Sequence, residues 1–215
     1  MSSRAVDFAA ILAGYLVGAL PTTYLLGRAW GVDLRKVGSK NVGAGNLTRF
    51  AGVKAGVLAA LIDGLKGLIP TYVARKMGLG VGPAALVGIA AVAGHSWTVF
   101  LRGRAGRGLA TSAGVLAAIN PMLLIWPAAW AMIGWKVGGG IGGFIGWGLL
   151  PIVPIVIGAA SLVPVTMGLS VVMLARRAQG NPDRVPGFNA AMWRMIHDND
   201  SHVLGDEAAE EVARA

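Results

Sequence analysis

Cysteine is absent from the 215 residues, which rules out disulfides, thiol nucleophiles and thiolate metal sites. Charge is scarce too: 13% of residues are Asp, Glu, Lys or Arg, about half the share of a soluble domain. The scarcity falls on the acids, with 10 Asp and Glu against 19 Lys and Arg. No metal-ligand constellation is visible among the few histidines and carboxylates. What fills the chain instead is apolar: 55% hydrophobic residues, with 33 glycines that suit close helix packing. Lipid is the solvent for such a composition. The net charge of +9 sits in a few clusters, as expected of loops held on the cytoplasmic side against anionic head groups. Nucleic-acid binding is the other reading of excess positive charge, and the hydropathy argues against it.

The first apolar run, Phe8 to Leu26, approaches the roughly 20 residues needed to cross a bilayer. No small-residue cleavage site follows it, so it reads as a retained helix rather than a signal peptide. Apolar runs resume at Ala55–Ala74, Ala84–Leu101 and Leu109–Leu174. Between them lie basic stretches: Arg28 to Lys54, then Arg102 to Arg107, then Arg176 onward. Only Arg4, Arg75, Lys76 and Lys136 oppose them, so the three basic segments are expected inside and the amino terminus outside. Parity then requires an even number of helices between Lys54 and Arg102, and again between Arg107 and Arg176. Breaks at Asn120–Pro121, at Lys136–Gly140 and near Pro154 to Pro164 favour four in the latter region. The expected fold is an all-α, polytopic integral membrane helix bundle of seven transmembrane helices, with five as the fallback. It would occupy residues 1–178, with cytoplasmic loops at 28–54 and 102–108. Residues 179–215 would form a cytoplasmic tail with a short interfacial helix over Phe188–Ile196. Gly14 with Gly18, and Gly52 with Gly56, are small-xxx-small pairs expected to pack helices.

Four groups of residues stand out chemically. The first is Gly38-Ser39-Lys40-Asn41-Val42-Gly43-Ala44-Gly45-Asn46-Leu47-Thr48-Arg49. Its glycines permit turned backbone whose N–H groups cradle an oxyanion, and it lacks Walker spacing. A plain connector does not need this density of asparagine and hydroxyl groups. The second is Asp63 with Lys66, three apart on one helical face within an apolar span. Each costs about 2.5–3.5 kcal/mol at a helix centre unless paired. A self-satisfied ion pair and a polar site are both open on spacing alone. The third is Gly94-His95-Ser96-Trp97-Thr98-Val99-Phe100, followed by Arg102 to Thr111, where glycines separate arginines at a helix start suited to phosphate. The fourth is the tail's His197, Asn199, His202 and Glu207, where His202 and Glu207 have a His-x4-Glu spacing.

In combination and order these motifs resemble the bacterial acyl-phosphate:glycerol-3-phosphate acyltransferases, the PlsY family, from about Tyr15 to Ala118. The family's D-x-R-x-x-G-S-G-N-x-G-A-T-N-x-x-R is similar to Asp33 through Arg49, with Lys40 where glycine is usual and Gly45 where threonine is. Its D-x-L-K-G stands intact as Asp63 to Gly67. Its G-H-x-x-P-x-F is similar to Gly94 to Phe100, with Thr98 in place of proline. Its K-G-G-K-G-V-A-T is similar to Arg104 to Thr111, with arginine for both lysines. The tail resembles H-x-x-N-I-x-R-L-x-x-G-x-E only through His197 and Gly205-Asp206-Glu207, with Asp200 where asparagine is usual.

The resemblance implies attack of the glycerol 3-phosphate 1-hydroxyl on the acyl carbon of acyl phosphate, releasing lysophosphatidic acid and phosphate. It implies catalytic roles for Ser39, Arg49, Lys66, Arg104 and His197. Substrate- and phosphate-binding roles fall to Gly38, Asn41, Gly43, Asn46, Asp63, His95, Gly106, Arg107, Gly108, Thr111 and Glu207. No metal, nucleotide, coenzyme A or other cofactor is implied, and the partners are the two substrates and membrane lipids. The location implied is the bacterial cell membrane, with the active face cytoplasmic. A small organic-anion transporter is the rival, but it would need polar residues in several helices on both sides of the membrane, and the second half has almost none. A non-catalytic membrane partner descended from the enzyme is the third reading, and phosphate release in the presence of both substrates separates it from the first.

Overall fold

The computed structural model describes residues 3–103, 105–137, 139–180, 190–192 and 194. Within these the chain is helical, without strands: α1 Ser3–Ala19, α2 Thr22–Ala29, α3 Ala44–Lys76, α4 Val81–Ser96, α5 Leu109–Ile119, α6 Ile125–Val137, α7 Gly139–Gly148, α8 Val153–Val156 and α9 Val163–Gln179, with short 3-10 turns between some of them. Four segments are long and apolar enough to cross a membrane: Arg4–Ala29, Ala44–Lys76, Val81–Leu101 and Ala160–Gln179. Three shorter apolar stretches are Leu109–Ile119, Pro121–Gly134 and Gly140–Val156. The all-helical membrane bundle is therefore observed, with four long and three shorter apolar helical segments among the described residues. The helix ends at Asn120–Pro121, near residue 138 and between residues 148 and 163 fall where proline, asparagine and glycine foretold them.

The chain divides into two compact units, Met1–Arg35 with Asn41–Leu124, and Lys36–Lys40 with Ile125–Ala215. In the first, glycine decides which helices touch. A Cβ on Gly18 would lie 1.9 Å from the Ala91 carbonyl oxygen, and one on Gly94 would lie 2.1 Å from that of Tyr15, so α1 and α4 pack backbone to backbone. Gly67 against the Thr111 carbonyl and Gly114 against that of Gly64 do the same for α3 and α5, each at 2.0 Å. Helices brought this close gain dispersion contacts that larger side chains would prevent. Gly14 and Gly18 thus act as the expected helix-packing pair. Gly52 and Gly56 do not. Gly52 sits at φ 86°, ψ 169°, a conformation nearly closed to other residues, and turns a corner inside α3. Residues 44–51 then fold back so that Thr48 lies against Gly56, whose absent side chain makes the room.

The first apolar run also differs from the continuous helix expected. It breaks at Pro21, which has no N–H to offer the preceding turn. Pro21 (φ −84°, ψ 52°) instead centres an inverse γ-turn in which Thr22 N donates to Leu20 O at 2.9 Å.

In the second unit α6 packs on α7, where Gly142 meets the Trp130 carbonyl and Trp126 Nε1 donates to Gly146 O at 3.0 Å. On α9, Ser170 Oγ bridges to Trp147 O and to Thr166 O, a hydroxyl satisfied by backbone in apolar surroundings. Of the interfacial helix expected over Phe188–Ile196, residues 190–192 and 194 are described and are helical.

Candidate functional site

Two charges on one face of α3 organise the polar centre of the first unit. Spacing of three places Asp63 and Lys66 side by side, and Lys66 Nζ lies 2.8 Å from Asp63 Oδ1, with both side chains nearly inaccessible. The α1–α2 break then supplies partners that a continuous helix could not. Thr23 Oγ1 donates to Asp63 Oδ2 at 2.7 Å and Thr22 Oγ1 to Oδ1 at 3.2 Å. Lys66 Nζ donates to the freed Leu20 O at 2.8 Å. Its third contact is His95 Nδ1 at 3.4 Å, which must accept because an ammonium has no lone pair. An ammonium carries three hydrogens, and here three acceptors meet them. The expected polar pair is therefore a network of five side chains and one carbonyl drawn from α1–α2, α3 and α4.

This network borders a cleft whose wall also includes Pro21, Tyr24, Val42, Thr98, Leu101, Ala105 and Gly106. Gly106 is essential to the shape. A Cβ there would lie 2.2 Å from His95 Nε2 and 2.9 Å from Val42 O, so the arginine loop touches both the histidine and the first loop only because residue 106 has no side chain. Three motifs distant in sequence thus converge: the asparagine-rich loop at Val42, the α3 pair, and the histidine with its following loop.

Around the cleft, Asn46 Nδ2 donates to Leu34 O (3.3 Å) and Asn41 O (3.1 Å), and Gly43 N donates to Asn41 O (3.0 Å), so the first loop is folded on its own side chains. Its Asp33 is gripped by Arg35 through Nε and Nη2 at 3.0 and 2.9 Å, and Arg28 approaches at 3.6 Å. The Arg35 hydrogen bonds hold the Asp33 carboxyl down at about 2, and the same contact raises Arg35. Arg35 also lies over the Tyr24 ring at 4.6 Å, tying this loop to the cleft wall. Gly108, at φ 80°, opens α5. Thr111 in the first turn of α5 is fully buried, and its Oγ1 has no hydrogen-bond partner among the described residues; Asn41 Oδ1 and Ser96 Oγ are alike in this. Such groups are rare away from a ligand or ordered water.

The other sequence candidates fall as follows. Arg49 is exposed on the folded-back segment of α3, and Arg107 is half-buried. Ser39 is exposed and Gly38 has φ 52°, both in the segment Lys36–Lys40 that belongs to the second unit. Arg104, His197 and Glu207 lie outside the described residues, as do Asn199 and His202. Sequence reasoning missed Leu20, Thr22 and Thr23, and named Thr98 only as a motif member standing in place of proline. The signal for the first three was present: a proline followed by two threonines within an apolar run marks a broken helix whose backbone needs partners.

The chain is similar to known proteins over most of its length. The family model described as Glycerol-3-phosphate acyltransferase matches residues 8–185. Among curated relatives, the Glycerol-3-phosphate acyltransferase of Rubrobacter xylanophilus is 49% identical over 121 residues, 54% of this chain and 61% of that protein. Glycerol-3-phosphate acyltransferase 1 of Deinococcus radiodurans is 48% identical over 114 residues, 53% of this chain and 58% of that one. The chain thus spans about six tenths of the length of these relatives. Among solved structures, PlsY (YgiH), an integral membrane glycerol 3-phosphate acyltransferase, matches in its glycerol 3-phosphate form with a TM-score of 0.75 and 28% identity, over 94% of this chain and all of that one. Its lysophosphatidic acid form matches with a TM-score of 0.73 at the same identity, over 81% and 89%. With the family model covering most of the chain, and the same fold found in a relative of that name, this chain belongs to the glycerol-3-phosphate acyltransferase family.

Proposed function

We propose that this protein is a membrane acyltransferase that moves a fatty acyl group from acyl phosphate to the 1-hydroxyl of glycerol 3-phosphate. The observation that carries the reading is the convergence of the asparagine loop, the Asp63–Lys66 pair and the His95–Gly106 contact on one cleft. The glycerol 3-phosphate form of the matching PlsY structure supports the acceptor. In the reaction the hydroxyl oxygen bonds to the acyl carbon and the acyl carbon–phosphate oxygen bond breaks. The electron pair leaves with phosphate, which also takes the hydroxyl proton. Phosphate is a good leaving group, so a strong protein base is dispensable, and the protein's work is to place two anions against each other.

On this reading the catalytic roles fall to Ser39, Arg49, Lys66, Arg104 and His197. Gly38, Asn41, Gly43, Asn46, Gly106, Arg107, Gly108 and Thr111 bind phosphate through side chains and turned backbone. Asp63, His95 and Glu207 complete the substrate site. The unpartnered Asn41 Oδ1 and Thr111 Oγ1 supply hydrogen-bonding capacity for it. Neither metal nor cofactor enters. Seven crossings in a bacterial cell membrane, counting the three shorter apolar stretches, put the loops at 28–54 and 102–108 and the tail 179–215 on the cytoplasmic side, where both substrates are soluble or reach the bilayer surface. The acyl chain lies among lipid-facing helices.

The test is purified protein in detergent with acyl phosphate and glycerol 3-phosphate, following phosphate release and lysophosphatidic acid. Release that depends on both substrates is expected. Release without glycerol 3-phosphate, or none at all, would remove the proposal.

A further inference from the structure

Thr98 stands where the resembled family usually has proline, and its surroundings give it work that proline could not do. It is 2% exposed. Its Oγ1 donates to Ala19 O, the last carbonyl of α1, and accepts from Phe100 N at 3.2 Å. That uses the hydroxyl hydrogen and one lone pair. Its own carbonyl accepts from Gly103 N at 3.0 Å and Leu101 N at 3.4 Å. Residue 98 is therefore a node. Through the hydroxyl it holds the α1–α2 break, and through the carbonyl it holds the turn that leads into the arginine loop.

The break explains why the hydroxyl matters. A continuous helix would give Ala19 O and Leu20 O the N–H groups of Thr23 and Tyr24. At the break these carbonyls turn elsewhere: Leu20 O takes Thr22 N and Lys66 Nζ, and Ala19 O takes Thr98. An unmatched carbonyl in apolar surroundings is costly, so each tie fixes the break in place. Lys66 hangs on one tie, and the loop containing Ala105 and Gly106 hangs on the other.

We propose that the Thr98 hydroxyl is a positioning group that sets the α1–α2 break against the turn at Gly103 and the cleft wall at Ala105 and Gly106, and so fixes the width of the cleft between Leu20 and Gly106. This rests on the acyltransferase reading for its effect on turnover, though not for its geometry. The backbone provides a control. Thr98 has φ −67°, the value proline imposes, so Thr98→Pro keeps this backbone angle while it removes the hydroxyl together with the N–H. Thr98→Ser keeps the hydroxyl, and Thr98→Val keeps the shape.

The experiment uses the full chain carrying Ala105→Cys, a single cysteine in a cysteine-free sequence, at a cleft-wall position only 4% exposed. Reaction with a hydrophilic maleimide in detergent reads the opening of the cleft without reference to activity. Slow labelling is expected with Thr98 and Thr98→Ser, and labelling faster by roughly tenfold with Thr98→Val and Thr98→Pro, the effect of one lost hydrogen bond. In the cysteine-free background the same two variants are expected to raise KM for glycerol 3-phosphate roughly tenfold with a smaller change in kcat, and serine to restore it. If proline protects residue 105 as well as threonine does, backbone shape alone suffices and the proposal fails. If serine labels as fast as valine, it fails too. Where one variant does not accumulate, the other makes the same comparison with serine. A protein without turnover on the two substrates would sink the acyltransferase reading and leave the labelling comparison to decide Thr98.

Discussion

At Lys66 three N–H bonds meet three acceptors, Asp63, Leu20 O and His95, and this saturation governs what substitutions nearby should do. Asp63→Asn removes the counter-charge and leaves a buried ammonium, which costs about 3–5 kcal/mol. The double variant Asp63→Asn with Lys66→Met removes both charges and is expected to regain most of that stability, by thermal unfolding in detergent, while turnover stays lost. Turnover returning with stability would make the pair a structural strut. Arg107 and Arg102 offer a second comparison within one loop. Arg107 is half-buried beside Gly108, whereas Arg102 is exposed. Arg107→Gln should insert normally and lose about 1.5–3 kcal/mol of transition-state stabilisation, roughly ten- to a hundredfold in kcat/KM, and Arg102→Gln should be much milder. Equal, small effects would make the loop a topological anchor. The pairing of Asp63 with Lys66 was legible in the sequence because i,i+3 spacing is local. Their threonine partners, some forty residues earlier, were not, because no periodicity connects two helices that meet only on folding.

At the level of elements, glycine and proline decide the geometry, each by a different route. Gly52→Ala puts a side chain at φ 86°, where about 1–3 kcal/mol of strain is expected although nothing obstructs the added methyl. A measured loss of thermal stability with no change in oligomer size would mark it as a corner. No loss would mean that α3 straightens without penalty. The sequence offered Gly52 and Gly56 as one pair of equal members; only the backbone conformation separates corner from contact. Proline was legible as a break at residue 121 and over residues 154 to 164, but at 21 the unbroken hydropathy concealed it. The Asp33 loop makes a pH prediction. Its carboxyl sits at about 2 instead of 3.8, so the folded state binds its proton more weakly than the unfolded chain. The stabilising contribution is complete above about pH 4 and disappears as pH falls through the folded value. Asp33→Asn should flatten that part of the stability curve between about pH 4 and pH 2. A curve identical to that of the parent protein would mean the Arg35 contact contributes nothing.

On the scale of the whole molecule, the arrangement in the membrane is what the charge pattern predicts most directly. Lys36 and Met77 are exposed and flank the ends of the Ala44–Lys76 segment. In intact cells a cysteine at Lys36 should resist an impermeant thiol reagent and one at Met77 should react. The opposite pattern would invert the topology and move the cleft to the outer face. Hydropathy made the bundle legible because lipid forces every backbone group into helices. The count of crossings was less so, since glycine-rich stretches such as Gly139–Gly148 are apolar without being long.

The break at Pro21 has one further consequence, which concerns the field in the cleft. A helix ends in partial negative charge on its last carbonyls and begins in partial positive charge on its first N–H groups. Because α1 stops at Ala19, its negative pole is brought to the Lys66 ammonium through Leu20 O, inside the molecule instead of at its edge. Lys66 thus meets two negative partners, Asp63 and the end of α1. The positive pole of α5 opens at Gly108, two residues beyond Gly106 of the cleft wall, and α5 packs against α3 at Thr111 and Gly67. An anion in the cleft is therefore disfavoured beside the Ala19 and Leu20 carbonyls and favoured toward Gly106, the wall position from which the chain runs on into the start of α5.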